Sequence, residues 1–224
     1  MMEMIEYGLK HYDDFLMYIS QHLIIVLSAF VLSILVALPL GVLAVRHKKI
    51  GLLLNTIFNF LFSIPSLAMF AIFIPILGLG KDTAVVVISI YNQVILLRSI
   101  VDGFESVDLL IIESARGMGM NSGQIFLKIE CPLAAPAICT GIRTSVLSTI
   151  SMATLAAVIN AGGIGRLLFD GIRMTYYVKI YWGAILAALL AFAVSAVLRR
   201  VENYAIANAN GTRIKKRSNK NVSA

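Results

Sequence analysis

Residues 104–132 read FESVDLLIIESARGMGMNSGQIFLKIECP, a polar interruption between apolar runs that are each long enough to cross a bilayer. At about 1.5 Å per helical residue, roughly 20 apolar residues cover a hydrocarbon core of about 30 Å. Of the 224 residues, 59% are hydrophobic and only 14% charged, a balance foreign to an ordinary soluble domain. Backbone groups in hydrocarbon must be paired within their own segment, so these runs are expected to be helices. The expected fold is an all-α polytopic membrane protein with five transmembrane helices.

Working outward, the runs place spans near residues 22–45, 51–77, 83–100, 134–159 and 180–198. A transmembrane domain over 19–200 is then flanked by an extracytoplasmic segment, 1–18, and a basic tail, 201–224. The loop 104–133 divides the third span from the fourth. Glu3, Glu6, Asp13 and Asp14 give the N-terminus the wrong charge for a signal peptide, so no cleaved leader is expected.

Five spans put the termini on opposite sides, and Lys and Arg choose the orientation. With the N-terminus outside, the inner side receives Arg46, Lys48, Lys49, Arg98, Arg116, Lys128, Arg143 and the seven basic residues from 199 to 220. The outer side keeps only Lys10, Lys81, Arg166, Arg173 and Lys179. The segment 104–133 is therefore expected to be cytoplasmic, in a multi-pass protein of a cell membrane with its N-terminus outside. The net charge of +7 is explained by this orientation rather than by nucleic acid, since the basic residues cluster between apolar runs. Arg98 and Arg143, near the inner ends of spans, can snorkel to the interface or face a transport path. The tail from about residue 208 is polar, basic and expected to be disordered near anionic lipid.

Within the interruption, Asp108 can cap a helix that ends at the glycines 117 and 119. Asn121 followed by Gln124 has the spacing of a capping box, and a second short helix is expected over 122–130, stopped by Pro132. Ile111, Ile112, Met118, Met120, Ile125, Phe126 and Ile129 make the segment unusually apolar for a loop. That surface can meet a partner or fold back onto the chain's own helices.

Glu113, Ala115, Gly119, Ile129 and Pro132 fall in register with E-A-A-x3-G-x9-I-x-L-P, and this stretch resembles the signature of permease subunits in bacterial ATP-binding-cassette importers. Ser114 and Cys131 depart from it, both by small or apolar replacements. The resemblance implies that residues 113–120, among them Glu113, Ser114, Ala115, Gly117, Met118, Gly119 and Met120, together with Ile129 and Pro132, couple the membrane bundle to a separate ATPase. The stretches SIPSLAMFAIFIPILGLG, CPLAAPAICTGIRTS and TLAAVINAGGIG extend the resemblance to the five-span permeases of osmoprotectant importers, which handle glycine betaine, carnitine, choline and related solutes. Methionine-importer permeases share the size and the signature but match these stretches less well. The partners implied are an ATPase dimer carrying ATP and Mg²⁺, a second permease and an extracytoplasmic substrate-binding protein. No cofactor is expected in this chain, and no enzyme activity of its own.

Ser63, Pro65 and Ser66 interrupt the second span, where proline should kink the helix. They can line a translocation path with Tyr91, Asn92 and Gln93 of the third span and Ser148, Thr149, Ser151, Thr154 and Asn160 of the fourth. The alternative is that these groups form hydrogen bonds between helices, which Ser, Thr and Asn supply routinely in membrane bundles. The glycines of 161–165 suit a turn, and the resemblance implies that this region and the loop to Lys179 meet the binding protein. His22 reads as an interface residue, and Cys131 and Cys139 as free thiols.

Other signals fail. Gly80-Lys81 lacks the first glycine and the Ser or Thr of a phosphate-binding loop, and Gly117, Gly119 and Gly123 miss the dinucleotide spacing. There is neither an H-E-x-x-H nor a G-x-S-x-G arrangement. A stand-alone secondary transporter or channel is the rival class, disfavoured because no acidic residue lies inside a span and no internal repeat is evident.

Overall fold

The computed structural model describes residues 2–209, all in helices, turns or short connections. The basic tail and its expected lipid attraction lie largely outside the described residues. Ten α-helices follow in order: α1 (Met2–Lys10), α2 (Tyr12–Arg46), α3 (Lys48–Ser63), α4 (Ser66–Leu77), α5 (Lys81–Glu105), α6 (Leu109–Gly117), α7 (Ser122–Ile125), α8 (Cys131–Leu155), α9 (Gly165–Arg173) and α10 (Tyr177–Ala209). Four segments are long and apolar enough to span a bilayer, namely α2, α5, the stretch containing α7 and α8, and α10. The pair α3 and α4 makes a fifth if it counts as one broken span.

That pair corrects the expectation of a kinked second span. The axes of α3 and α4 bend by 98° rather than by the modest angle of a proline kink. Pro65 disfavours helical backbone at the residue before it, and Ile64 is extended at φ −73° and ψ 130°. Two successive extended residues break the helix outright. The Tyr91 hydroxyl of α5 donates to the freed carbonyl of Ile64, so a backbone group that lipid would leave unpaired is satisfied inside the protein.

Pro132 gives a second correction, because it does not stop a helix. Residues Phe126–Glu130 form a π-helical turn that runs straight into α8, with Pro132 in its first turn. A proline removes one N–H and crowds the carbonyl four residues earlier, and a widened turn accommodates both effects. The helical course from Ser122 to Ile159 is thus continuous.

The core is built by α2, α5 and α8, with Ile25, Ala29, Val87, Ile88, Ile150 and Ala153 buried along their contact. Small residues let these helices approach closely, as membrane bundles require. A Cβ added to Gly41 would lie 2.8 Å from the Ile100 side chain, and one on Gly141 would lie 2.2 Å from Ser99 Cβ. Apolar side chains on other faces, such as Leu27, Val31 and Leu35 of α2 and Leu189 and Phe192 of α10, remain exposed, as a bilayer-facing surface demands.

Polar groups fasten α10 at each end. Arg143 Nε of α8 stands 3.3 Å from Glu202 Oε2, and Thr140 Oγ1 donates to Glu202 Oε1 at 2.6 Å. This pairing occupies Arg143 in an interhelical tie, whereas Arg98 pairs along its own helix with Asp102 at 3.7 Å. At the opposite end, Trp182 Nε1 donates to the Met4 carbonyl at 3.0 Å and packs on Phe15. Tyr7 of α1 meets Tyr176 edge-on, 5.7 Å between ring centroids. Burial, with Tyr176 beside it, raises the Tyr7 hydroxyl above its ordinary pKa, so this aromatic cluster stays neutral.

His22 is another departure from expectation. It is fully buried in α2 rather than placed at an interface, with the backbone of Gly163 packed on its ring. Only a glycine fits there, since a Cβ would come within 3.0 Å of Nδ1 and Gly163 also sits at φ 78°.

Candidate coupling element and membrane path

The segment between α5 and α8 is held by local chemistry at every turn. Asp108 is extended and its carboxylate accepts from Leu110 N at 2.9 Å, capping α6. Gly119 closes the helix in left-handed backbone, φ 82°. Met120 N donates to Ala115 O at 3.2 Å and Gly119 N to Arg116 O at 2.9 Å, the paired bonds of a Schellman ending. Asn121 and Gln124 then form the reciprocal capping box, each bond 2.9 Å.

Two buried residues anchor this element: Ala115, 1% exposed, and Ile125, 3% exposed. Phe126 stacks on Phe104 of α5, 5.3 Å between centroids and 5° from parallel, and the Arg46 guanidinium of α2 lies over the Phe126 ring, 5.4 Å from its centroid. One aromatic ring therefore joins the ends of α2 and α5 to the start of the α8 helical column.

Of the residues assigned to coupling, Glu113, Ser114, Gly117, Met118 and Gly119 are exposed, Met120 and Ile129 half-buried, Ala115 buried, and Pro132 exposed at the start of α8. Leu109, Leu110, Ile111 and Leu127 are exposed as well. The apolar content of the segment thus divides: part of it braces the element against the chain's own helices, and part of it faces outward.

The residues considered for a path do not converge on one surface. Ser63, Pro65 and Ser66 surround the break between α3 and α4, which Tyr91 reaches. Asn92 Nδ2 donates to Ser33 Oγ at 3.0 Å and to Thr149 Oγ1 at 2.7 Å, joining α2, α5 and α8 in the core. Gln93 Nε2 donates to the carbonyls of Ser33 and Ser89 at 3.2 and 3.0 Å. Ser151 is exposed and Thr154 half-buried, and both hydroxyls bond back to their own helix. Asn160 is exposed in left-handed backbone, φ 63°, at the far end. The geometry makes Asn92 and Gln93 interhelical bonding groups.

Asn92→Leu is accordingly expected to lower the thermal midpoint of the detergent-solubilised protein, by the equivalent of about 1 kcal/mol, with the apparent KM for uptake unchanged. A changed KM at unchanged stability would place Asn92 on the path instead.

Sequence reasoning did not single out Ser33, Phe104 or the pairing of Arg46 with Phe126, because nothing in local spacing announces contacts between helices distant in the chain. Asn55 and Asn59 were also passed over. Their spacing of four within an apolar run is a legible polar stripe on one helix face. The turn at 161–165 and the following loop contain α9, whose approach to α2 is fixed by Gly163 N donating to Gln21 Oε1 at 3.1 Å.

Residues 29–206 match the family described as binding-protein-dependent transport system inner membrane component. The choline transport system permease protein OpuBB of Bacillus subtilis is 40% identical over 182 residues, 81% of this chain and 84% of that protein. The carnitine transport permease protein OpuCB of Listeria monocytogenes shows the same identity and coverage. The osmoprotectant import permease protein OsmW of Salmonella typhimurium is 36% identical over 187 residues, covering 81% and 87%. Among solved structures, the inward-facing MetNI methionine ABC transporter superposes with a TM-score of 0.78 at 18% identity, covering 85% of this chain and 95% of that one. This last likeness concerns the fold.

Proposed function

The chain belongs to the family of binding-protein-dependent transport system inner membrane components, and from that membership we propose that it is the permease of an ATP-driven importer of small osmoprotectants such as glycine betaine, carnitine or choline. The relatives named for such solutes cover about four-fifths of the chain, and they carry the substrate class. The rigidly capped element around α6 carries the mechanism.

In this reading, the inner side of the membrane is the side of α6, where the excess of Lys and Arg lies. The exposed residues Glu113, Ser114, Gly117, Met118 and Gly119 meet a cytoplasmic ATPase, which holds ATP and Mg²⁺. Closure of an ATPase pair moves α6 as a body. Phe126, in contact with Phe104 and Arg46, passes that movement into α2, α5 and α8 and so alternates access to a path shared with a second permease. The opposite end, with α9 and the turn at 160–165, receives solute from a binding protein. This chain performs no chemistry.

Vesicles reconstituted with this chain, its partner permease, the ATPase and the binding protein are expected to accumulate radiolabelled glycine betaine or choline only when ATP is supplied. Uptake by this chain alone, driven by an ion gradient and indifferent to ATP, would falsify the reading.

A further inference from the structure

A cavity of about 520 Å³ opens between α3 and the second half of α5, beside the end of α2. Its polar lining is Lys48, Asn55 and Asn59 on α3 and Arg98, Asp102 and Glu105 on α5. Asn59 Nδ2 donates to the Asn55 carbonyl at 2.7 Å, and Arg98 Nε stands 3.7 Å from Asp102 Oδ2. Leu53, Ile57 and Phe60 of the same helix are exposed but outside the cavity. The side of α3 that borders the cavity thus carries Lys48, Asn55 and Asn59 beside Leu52 and Leu54, and Leu53, Ile57 and Phe60 lie on the other side.

The position of the cavity is fixed by its neighbours. Glu105 and Lys48 adjoin Phe104 and Arg46, which hold Phe126, so the cavity opens at the end of the bundle that carries α6. Asparagine side chains at membrane depth are tolerated where they border water or protein; Asn59 Nδ2 donates to both oxygens of Asn55, and the pair gives the cavity a wall that water can wet. The lining holds two cations and two carboxylates. Such a surface suits a solute bearing both signs better than one bearing either alone.

We propose that this cavity is the cytoplasmic release vestibule for the imported solute, and that it accommodates a small zwitterion. Asn55 and Asn59 form the wetted wall, the Arg98 guanidinium meets the carboxylate of the solute, and Asp102 with Glu105 faces its ammonium end. The assignment rests on the importer reading given above. It adds the residues along which the solute leaves and a preference for betaine-type zwitterions over a simple cation.

The test uses the whole transporter, with its ATPase, partner permease and binding protein, in a background carrying Cys131→Ser and Cys139→Ser. Asn55→Cys, Asn59→Cys and Phe60→Cys are exposed from the cytoplasmic side to a trimethylammonium methanethiosulfonate. Modification at 55 and 59 is expected to be roughly tenfold faster than at 60, following solvent access to the thiolate, and to slow in excess glycine betaine. Equal rates at the three positions, or inert thiols at 55 and 59, would overturn the vestibule. In a separate arm, Arg98→Gln is expected to lower glycine betaine uptake about tenfold more than choline uptake, because choline has no carboxylate to lose a charge-assisted bond. Equal losses for the two solutes overturn the zwitterion assignment. Wild-type transporter that imports neither solute refutes the substrate reading, and the labelling pattern then still decides whether the vestibule exists.

Discussion

Gly119→Val is expected to abolish ATP-driven uptake while leaving the chain inserted in the membrane. Gly119 sits at φ 82°, a region that a β-branched residue occupies only with strain of about 1–3 kcal/mol. No atom lies within 4 Å of a Cβ built there, so the effect is one of backbone conformation rather than crowding. To relieve it, the chain must give up the bond from Met120 N to Ala115 O and redirect the exit from α6. The helix would then meet its ATPase at a different angle from the one its capping box and Schellman ending set. Uptake should fall more than about tenfold, which corresponds to about 1.4 kcal/mol of lost coupling. ATP hydrolysis by the assembled transporter should persist or decline less. Gly119→Ala, with the same backbone requirement but no β-branch, should fall between the two. Wild-type uptake by Gly119→Val would remove the coupling role.

Gly165→Ala should damage the fold itself. A Cβ at this position would lie 2.0 Å from the Thr154 carbonyl oxygen, 2.8 Å from the Thr154 carbonyl carbon and 2.9 Å from Ala157 Cβ. The first two are backbone atoms at the end of α8, so no side-chain rotation relieves the contact. Either α9 lifts away from α8 or the end of α8 unwinds. Overpacking of well-packed sites costs about 1–3 kcal/mol and sometimes more, and a backbone collision belongs at the upper end. The thermal midpoint in detergent is expected to drop by about 10 °C. Gly123→Ala is the contrast: its Cβ would make an ordinary 3.5 Å contact with Asn121 Oδ1 in an exposed helix, and the change should stay within about 1 kcal/mol. A stable Gly165→Ala protein would mean that α9 is not seated against α8 as described.

These two glycines show where sequence reading succeeds and where it stops. Gly119 was legible as a helix ending because that feature is local: the ending, the turn and the following capping box lie within a few residues. The membrane character and the long helices were legible for the same reason, since hydropathy is a property of consecutive residues. Gly165 was not, because its constraint comes from Thr154 across a turn. For Asn92 interhelical bonding was legible as one of two readings, but its partners were not, since Ser33 and Thr149 stand more than fifty positions away on either side. Pro65 was recognised as a disruption, but the size of the bend depended on the extended Ile64 and on Tyr91 receiving the carbonyl it exposes. Pro132 misled because a proline normally ends a helix, and only the π turn before it shows how the column continues. His22 misled for a related reason, since a polar residue at the edge of an apolar run gives no sign that Gly163 covers it.

Whether the exposed face of α6 touches the ATPase can be read from a photo-crosslinking residue placed at position 118. Met118 is 74% exposed and stands at the end of α6, whereas Ile172, 58% exposed on α9, lies at the opposite end of the bundle. In the assembled transporter, illumination should capture the ATPase from position 118 and leave it uncaptured from position 172. Capture from 172 alone, or none from 118 in a transporter that still couples ATP to uptake, would contradict the account.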